Sequence, residues 1–337
     1  MAKQMVSELR PGQEVDSVFL VTRKEVKKTR KGTPYISLEL TDRSGRIEAK
    51  IWEEGVHLGD AFSVRDFVRV TGRVDSFNDI KQVVVSSLRK CQECEVDMGD
   101  FVRASEHDPS SLLEEIREAA HGVVEPHLRE LLMCFLQDED FLEEFSIAPA
   151  AKNYHHPYRG GLLEHTAHTV RICKILCDVY PCLDSDLLIT AAILHDIGKV
   201  KELEMDIAVE YSDEGRFLGH LVLGDQMIRE RMDAMGGFPA ELSLKLRHAI
   251  LSHHGELEWG SPKRPKTLEA LVLHHVDNLD AKVNSFLEVI ERNDGSDSKW
   301  TDMRNLFRRP LYVPKPMSQE VEIMAEGEAE IEVDLDL

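Results

Sequence analysis

The spacing of apolar residues changes once along the chain, and this change limits the fold more than any other feature of the sequence. Across residues 12–90 the apolar and β-branched residues alternate or form short runs, as they do in β-strands. From Ser110 onward they recur at intervals of three and four, as on one face of a helix. A chain of 337 residues has room for two or three domains. The sequence therefore predicts a β domain followed by a helical region.

Five strand-like segments make up the β domain. A hairpin turn is expected at Asp42–Gly45, between the second and third segments, and Glu53–Ala61 is a predicted spacer before the fourth. Five short strands with such a spacer are typical of a small Greek-key barrel of the OB type. The stretch from Lys31 through this turn to Trp52 resembles OB-fold nucleic-acid-binding domains. That resemblance implies a role in holding nucleic acid.

Charge is distributed unevenly along the chain. The net charge is −21, which by itself argues against a nucleic-acid partner. Residues 1–90, however, carry 17 Lys and Arg against 13 Asp and Glu, so the β domain is mildly basic. The last twenty residues contain eight acidic residues and no basic one, and they predict a mobile acidic tail.

The sequence has no sign of a membrane or secreted protein. Its longest apolar runs, such as Leu187–Leu194, are too short to span a bilayer, and the first residues lack the apolar segment of a secretion signal. Six cysteines are too few for a disulfide scaffold in a chain of this length. We therefore expect a cytoplasmic protein with free thiols and no membrane partner.

Histidines are concentrated in the helical region, where eleven of the fifteen lie between residues 155 and 275. Several stand with aspartates at the ends of apolar helices, where an unpaired buried carboxylate would be costly. A divalent metal would supply the missing partner, and imidazole nitrogens with carboxylate oxygens suit Mn, Fe, Co, Ni or Zn. Asp196, beside His195, could bridge two ions with its two oxygens. Such a two-metal site activates water and clamps a phosphoryl group.

The order His … His-Asp … Asp resembles that of the HD-domain metal-dependent phosphohydrolases. By this resemblance the first metal ion is held by four residues, His165, His195, Asp196 and Asp277. The second ion shares Asp196 and is held also by His220, His253 and His254. Lys199 resembles the lysine of the family motif His-Asp-x-x-Lys. With Asp196 it is the predicted catalytic pair, because its charge could stabilise the phosphoryl oxygens.

Longer segments of the helical region narrow this resemblance. The runs ILHDIGKVKEL, LGHLVLGDQMI and ILSHHGELEWGSPK, after an OB-like barrel, are similar to the YhaM-type 3′–5′ exoribonucleases of bacteria. The similarity extends over residues 13–311 and implies trimming of single-stranded RNA, and of single-stranded DNA, from the 3′ end. It further implies two divalent ions per chain with Mn²⁺ favoured, and it is compatible with a homo-oligomer.

The combined prediction is a multidomain α and β protein, with an N-terminal OB-fold β-barrel followed by an all-α HD domain. We place the OB-fold nucleic-acid-binding domain at residues 1–90 and a linker with connecting helices at residues 91–148. The HD domain is expected at residues 149–316 and the acidic tail at residues 317–337.

Substrate contacts are expected in two places. The segment before the first metal-ligand helix offers Lys152, His156 and Arg159, which by the resemblance line the phosphate side of the cleft. Helix capping or packing is the alternative role for these three residues.

The β domain offers the second set of substrate contacts. Its basic run Arg23–Lys31 could follow a phosphate backbone, although a solvated hairpin tip would have the same composition. Tyr35 and Phe77 are candidate base-stacking side chains, although either could instead fill the barrel. The basic candidates for backbone contacts are Lys27, Lys28, Arg30 and Lys31.

Two other functions remain open on the sequence alone. One is a small-nucleotide phosphohydrolase or cyclic-nucleotide phosphodiesterase, against which the barrel and its basic run argue. The other is a non-catalytic nucleic-acid-binding protein with a vestigial HD site, against which the complete set of candidate ligands argues.

Overall fold

The computed structural model describes residues 3–29, 32–52, 58–77, 80–152, 155–205, 209–292, 298–303 and 305–314. The chain forms two compact units, Met1–Ala281 and Lys282–Leu337. The first unit contains a closed β-barrel and most of the helices. The predicted domain boundaries stay predictions, and the predicted tail after residue 316 lies outside the described residues.

Five strands close the barrel in the order β1-β2-β3-β5-β4. Neighbouring strands are antiparallel except β3 and β5, which pair in parallel, as a Greek-key path requires. Alternate side chains such as Leu38, Leu40 and Val70 are fully buried and form its core. The predicted OB-type barrel is thereby confirmed. The strands are β1 (Glu14–Lys28), β2 (Pro34–Asp42), β3 (Gly45–Ile51), β4 (Phe67–Phe77) and β5 (Ile80–Lys90).

Strand β1 is longer than its apolar pattern predicts. The apolar pattern Val15–Val21 predicts a strand that ends near Val21, but pairing with β2 continues as far as Lys28, opposite Pro34. The first part of the basic run therefore lies on a strand and not at a hairpin tip. The reason is that β2 offers a continuous partner edge, which overrides the low strand propensity of charged residues.

The helical region begins at Pro109, after a short segment that follows the barrel. Helix α5 is buried from Leu187 to Leu194 because α4 and α8 pack against it, which explains the continuous apolar sequence of this part. The helices are α1 (Pro109–His121), α2 (Pro126–Leu136), α3 (Glu139–Ile147), α4 (Gly161–Val179), α5 (Ser185–Leu194), α6 (Lys199–Glu202), α7 (Asp213–Met235), α8 (Ala240–Ser252) and α9 (Leu268–Arg292).

A hairpin between α6 and α7 lies earlier in the chain than predicted. In the sequence, the polar run Tyr211–Gly215 interrupts the helical pattern and predicts a hairpin within Met205–Phe217. The paired strands are instead β6 (Leu203–Met205) and β7 (Val209–Tyr211). The residues expected at the turn instead begin α7, because the Ser212 hydroxyl accepts a hydrogen bond from the backbone N–H of Gly215 at 2.9 Å.

The second unit contains the end of α9 and a short segment after it. Trp300 and Tyr312 form a bridge there, and their rings lie 5.6 Å apart. Among the described residues, the helices are all too short or too polar to cross a bilayer.

Candidate metal centre

Helix ends fix the orientation of two of the candidate ligands. His195 follows the last residue of α5, and its Nδ1 donates to the carbonyl oxygen of Ala192 at 2.9 Å. His253 follows α8 in the same way, with Nδ1 2.7 Å from the carbonyl oxygen of Ile250. In both residues the backbone therefore holds the hydrogen on Nδ1 and leaves Nε2 for another partner.

The first cluster of candidate ligands consists of His165, His195, Asp196 and Asp277. The Nε2 atom of His165 lies 3.2 Å from Nε2 of His195 and 3.2 Å from Oδ1 of Asp277. Burial opposes protonation of His165, but Asp277 and Asp280 outweigh it and raise the pKa of His165 to about 10. The carboxylates thus favour a positive charge at this point, which a metal ion would also supply.

The second cluster consists of His220, His253 and His254. Nε2 of His220 lies 3.1 Å from Nε2 of His254, and Nδ1 of His220 lies 3.0 Å from the Glu202 carboxylate. Burial lowers the pKa of His254 to about 3 and lowers that of His253 as well. Both imidazoles are therefore neutral, which is the form that binds a metal ion.

Asp196 lies between the two clusters and faces both. Its Oδ2 is 3.3 Å from Nε2 of His195, and its Oδ1 is 3.5 Å from Nε2 of His220 and of His253. Burial raises its pKa, but Lys199 and His195 outweigh this effect and hold the pKa well below its usual value. Oδ1 has no hydrogen-bond partner among the described residues. Because an unpaired buried carboxylate oxygen is costly, the donor set fits a divalent transition metal.

Lys199 lies at the same carboxylate. Its Nζ is 2.5 Å from Oδ2 of Asp196, and only 6% of the residue is exposed. Burial opposes protonation, but Asp196 and Asp277 outweigh it and raise the pKa of Lys199. The residue therefore carries a buried positive charge at the centre.

In the segment before α4, the structure argues against the predicted substrate-contact role of one residue, His156. His156 is fully buried, with Nδ1 2.7 Å from the Tyr158 hydroxyl and Nε2 3.0 Å from Oδ2 of Asp280, so its location argues against direct substrate contact. Arg159 is exposed. Lys152 is half-buried, and its Nζ donates to Glu210 at 2.6 Å.

An aromatic and basic patch lies on the barrel, and we define it as Tyr35, Trp52, Lys27 and Lys28. The rings of Tyr35 and Trp52 lie 5.2 Å apart, and Trp52 is 43% exposed. Lys27 pairs with Tyr35 across β1 and β2, and its Nζ lies 2.7 Å from Glu25. Arg30, Lys31 and the Phe77 side chain lie outside the described residues.

Comparison with known proteins assigns both parts of the chain. An HD domain model matches residues 162–282, and a model of the OB-fold nucleic acid binding domain matches residues 20–90. The 3′–5′ exoribonuclease YhaM of Shouchella clausii is 34% identical over 312 residues, which cover 91% of this chain and 97% of that protein. The chain belongs to the YhaM family of 3′–5′ exoribonucleases. Membership confirms the predicted family, fold class and enzyme class.

The chain is also similar to a second curated protein and to a solved structure. The YhaM protein of Bacillus subtilis is 34% identical over 284 residues, covering 83% of this chain and 89% of that protein. Among solved structures, the second OB-fold domain of replication protein A from Methanococcus maripaludis is 23% identical. That match covers 27% of this chain and 97% of the other, with a TM-score of 0.23.

The HD domain of this YhaM-family chain implies dependence on a divalent metal, and the two clusters are places where such ions could bind.

Sequence reasoning missed two carboxylates next to the candidate ligands. Asp280 accepts from Nδ1 of His165 at 2.7 Å, and Glu202 lies beside His220. Asp280 follows Asp277 by three residues, so their shared helix face is a signal that the sequence does contain.

Proposed function

We propose that this chain degrades single-stranded RNA from the 3′ end at a centre formed by the two clusters, with two divalent ions joined by Asp196. The observation that carries the proposal is the position of Asp196, whose two oxygens face different clusters while one of them is buried without a hydrogen-bond partner. The proposed ligands of the first ion are His165, His195, Asp196 and Asp277. Those of the second are Asp196, His220, His253 and His254.

Bound ions would supply Lewis acidity at the phosphoryl group and would lower the pKa of a water molecule. The side chains of the chain hold the rest of the site in place. Glu202 and the carbonyl oxygens of Ala192 and Ile250 orient three imidazoles before any substrate arrives. We propose Mn²⁺ as the native ion, although the same nitrogen and oxygen donors accept Fe, Co, Ni or Zn.

Lys199 is the proposed electrostatic partner of the scissile phosphate. Its ammonium group lies against Asp196 and is buried, so its charge acts in a medium that screens it poorly. The Lys199 ammonium would donate to a phosphoryl oxygen that becomes more negative in the transition state.

Residues 1–90 are the proposed binding domain for the single-stranded RNA. The aromatic and basic patch combines two neighbouring rings with lysines, which is the pairing that binds single strands through base stacking and backbone charge. Arg30, Lys31 and Phe77 remain proposed members of the same surface. Lys152 and Arg159 are proposed phosphate contacts near the first metal-ligand helix, within a hydrolase domain at residues 149–316.

The direct test uses single-stranded RNA labelled at its 5′ end, with and without Mn²⁺. The proposal predicts a ladder that shortens stepwise in the presence of the ion and stops when the 3′ end is blocked. A circular strand of the same sequence is the matched control and should stay intact. Internal cleavage of the circle would contradict the exonuclease assignment. Parallel reactions with single-stranded DNA measure the preference between the two substrates.

A further inference from the structure

A separate group of ligand-type side chains lies where α4 meets the segment before α1. It consists of His107, Glu164 and His168, whose ligand atoms all lie within 4.8 Å of one another. Glu164 and His168 are four residues apart and therefore share a face of α4. His107 directly precedes Asp108, the N-cap of α1, and its ring lies 6.0 Å from that of His168. Residues of two distant chain segments thus converge on one point.

The carboxylate of this group has an oxygen without a partner. The side chain of Glu164 is only 7% exposed. Its Oε1 accepts from the Tyr158 hydroxyl at 3.0 Å, and the Ser105 hydroxyl also lies near this carboxylate, whereas Oε2 has no hydrogen-bond partner of good geometry among the described residues. Leaving such an atom buried and unpaired is costly, so the geometry favours a cation at this position.

His168 is already oriented to bind a metal ion. Its Nδ1 lies 3.2 Å from Oδ1 of Asp280, which fixes the hydrogen on Nδ1 and leaves Nε2 for a metal. A carboxylate behind an imidazole is the usual support of a metal-binding histidine. Asp280 accepts from Nδ1 of His165 through its other oxygen, so one carboxylate supports a histidine of each site.

The group needs only a small movement to close around an ion. Bonds of about 2.0–2.1 Å in a tetrahedral site place ligand atoms about 3.3 Å apart. His107 is exposed and lies outside the helices, so its side chain can move closer to the other two ligands. Two imidazoles and one carboxylate with a fourth open position match a common zinc donor set.

We propose that His107, Glu164 and His168 form a third metal site that binds Zn²⁺ and links the segment after the barrel to α4. The site is independent of the proposed hydrolytic function, since none of its three residues is a proposed ligand of the other ions.

The test measures bound zinc in the full-length protein. Wild type and variants are stripped with a chelator, loaded with Zn²⁺, dialysed and analysed for metal per chain. His107→Ala should hold one zinc equivalent fewer than wild type. The matched control is His121→Ala, an exposed histidine at the end of α1, which should hold as many as wild type.

A rescue variant separates ligation from packing. His107→Cys keeps a zinc-binding side chain at the same position, so it should recover the equivalent that His107→Ala loses. Equal zinc content in wild type and His107→Ala would overturn the proposal, as would failure of the cysteine variant to recover the equivalent. Because the readout is metal content, either result is independent of whether the protein degrades RNA.

Discussion

At the scale of single residues, the orientation of each imidazole is set by one hydrogen bond on its far nitrogen. The sequence could predict the candidate ligands, because histidine and aspartate at the ends of apolar helices form a recognisable order. It did not show which acceptor lies behind which histidine. The Asp280 carboxylate reaches His165, His168 and His156 only because α9 places it beside α4 and the segment before α4.

Asp280→Asn tests the support behind His165. The substitution keeps the shape of the side chain but removes the charge that raises the pKa of His165 and orients its ring. Loss of such a supporting carboxylate costs about 10- to 100-fold in metal affinity or activity. We expect the turnover number and the affinity for Mn²⁺ to fall in this range, measured by RNA degradation at varied Mn²⁺. Unchanged affinity would show that Asp280 does not position the ligand.

At the scale of elements, sequence periodicity predicted the barrel and the helices but not the boundaries that depend on partners. Strand β1 extends into charged residues because β2 continues beside it, and α7 starts early because Ser212 caps it. A close approach of the His195–Lys199 turn to α7 was also beyond sequence reasoning. A Cβ atom on Gly198 would overlap the carbonyl oxygen of His220 and the backbone nitrogen of Gly224.

Gly198→Ala tests that close approach. Because the added methyl group meets backbone atoms that cannot rotate away, we expect a loss of about 1–3 kcal/mol in unfolding free energy, with weaker metal binding as α7 moves away. Denaturant unfolding and metal content are the two measurements. Gly224→Ala is the control, since its Cβ would meet neighbours only at ordinary contact distances of 3.4–3.9 Å. Equal stability of the two variants would contradict the argument.

The paired variant Tyr35→Ala/Trp52→Ala tests the barrel surface. Stacking of a base on an aromatic ring contributes about 1–3 kcal/mol, so affinity for single-stranded RNA should fall at least ~10-fold while thermal stability changes little. Fluorescence anisotropy with a labelled strand measures the loss. Trp300→Ala, which removes an aromatic side chain of similar exposure in the second unit, should bind as wild type does. Unchanged binding by the paired variant would show that the aromatic and basic patch does not bind the RNA strand.

At the scale of the whole molecule, the charge of the chain is separated between its parts. The first ninety residues are mildly basic within a chain of net charge −21, so the rest of the sequence carries the acidic excess. Composition alone predicted this asymmetry, which favours strand binding at the barrel. It could not reveal that Glu25 lies 2.7 Å from Lys27 or that Lys24 donates to the carbonyl oxygen of Phe62. These contacts leave less positive charge available to bind the phosphates of the RNA.

Charge reversal at the barrel tests this separation. Lys27→Glu/Lys28→Glu removes two proposed phosphate contacts, so the slope of log affinity against log salt should become shallower by about 1.4, at about 0.7 per phosphate. The measurement is strand binding at several salt concentrations. The control Lys174→Glu/Lys245→Glu makes the same change in net charge on α4 and α8 and should leave the slope near that of wild type. If the slope of log affinity against log salt changes equally in both variants, the effect comes from the net charge of the protein and not from local contacts with phosphates.

The most direct test of the central claim is the rate at which 5′-labelled single-stranded RNA shortens in Mn²⁺ when Asp196 is replaced. Asp196→Ala removes the one carboxylate that faces both clusters, so stepwise shortening should slow by ~10²–10³-fold in a protein that remains folded by circular dichroism. Asp233→Ala, at an exposed position on α7, is the matched control and should degrade RNA as wild type does. If Asp196→Ala shortens the strand at the wild-type rate, the proposed two-ion centre is wrong.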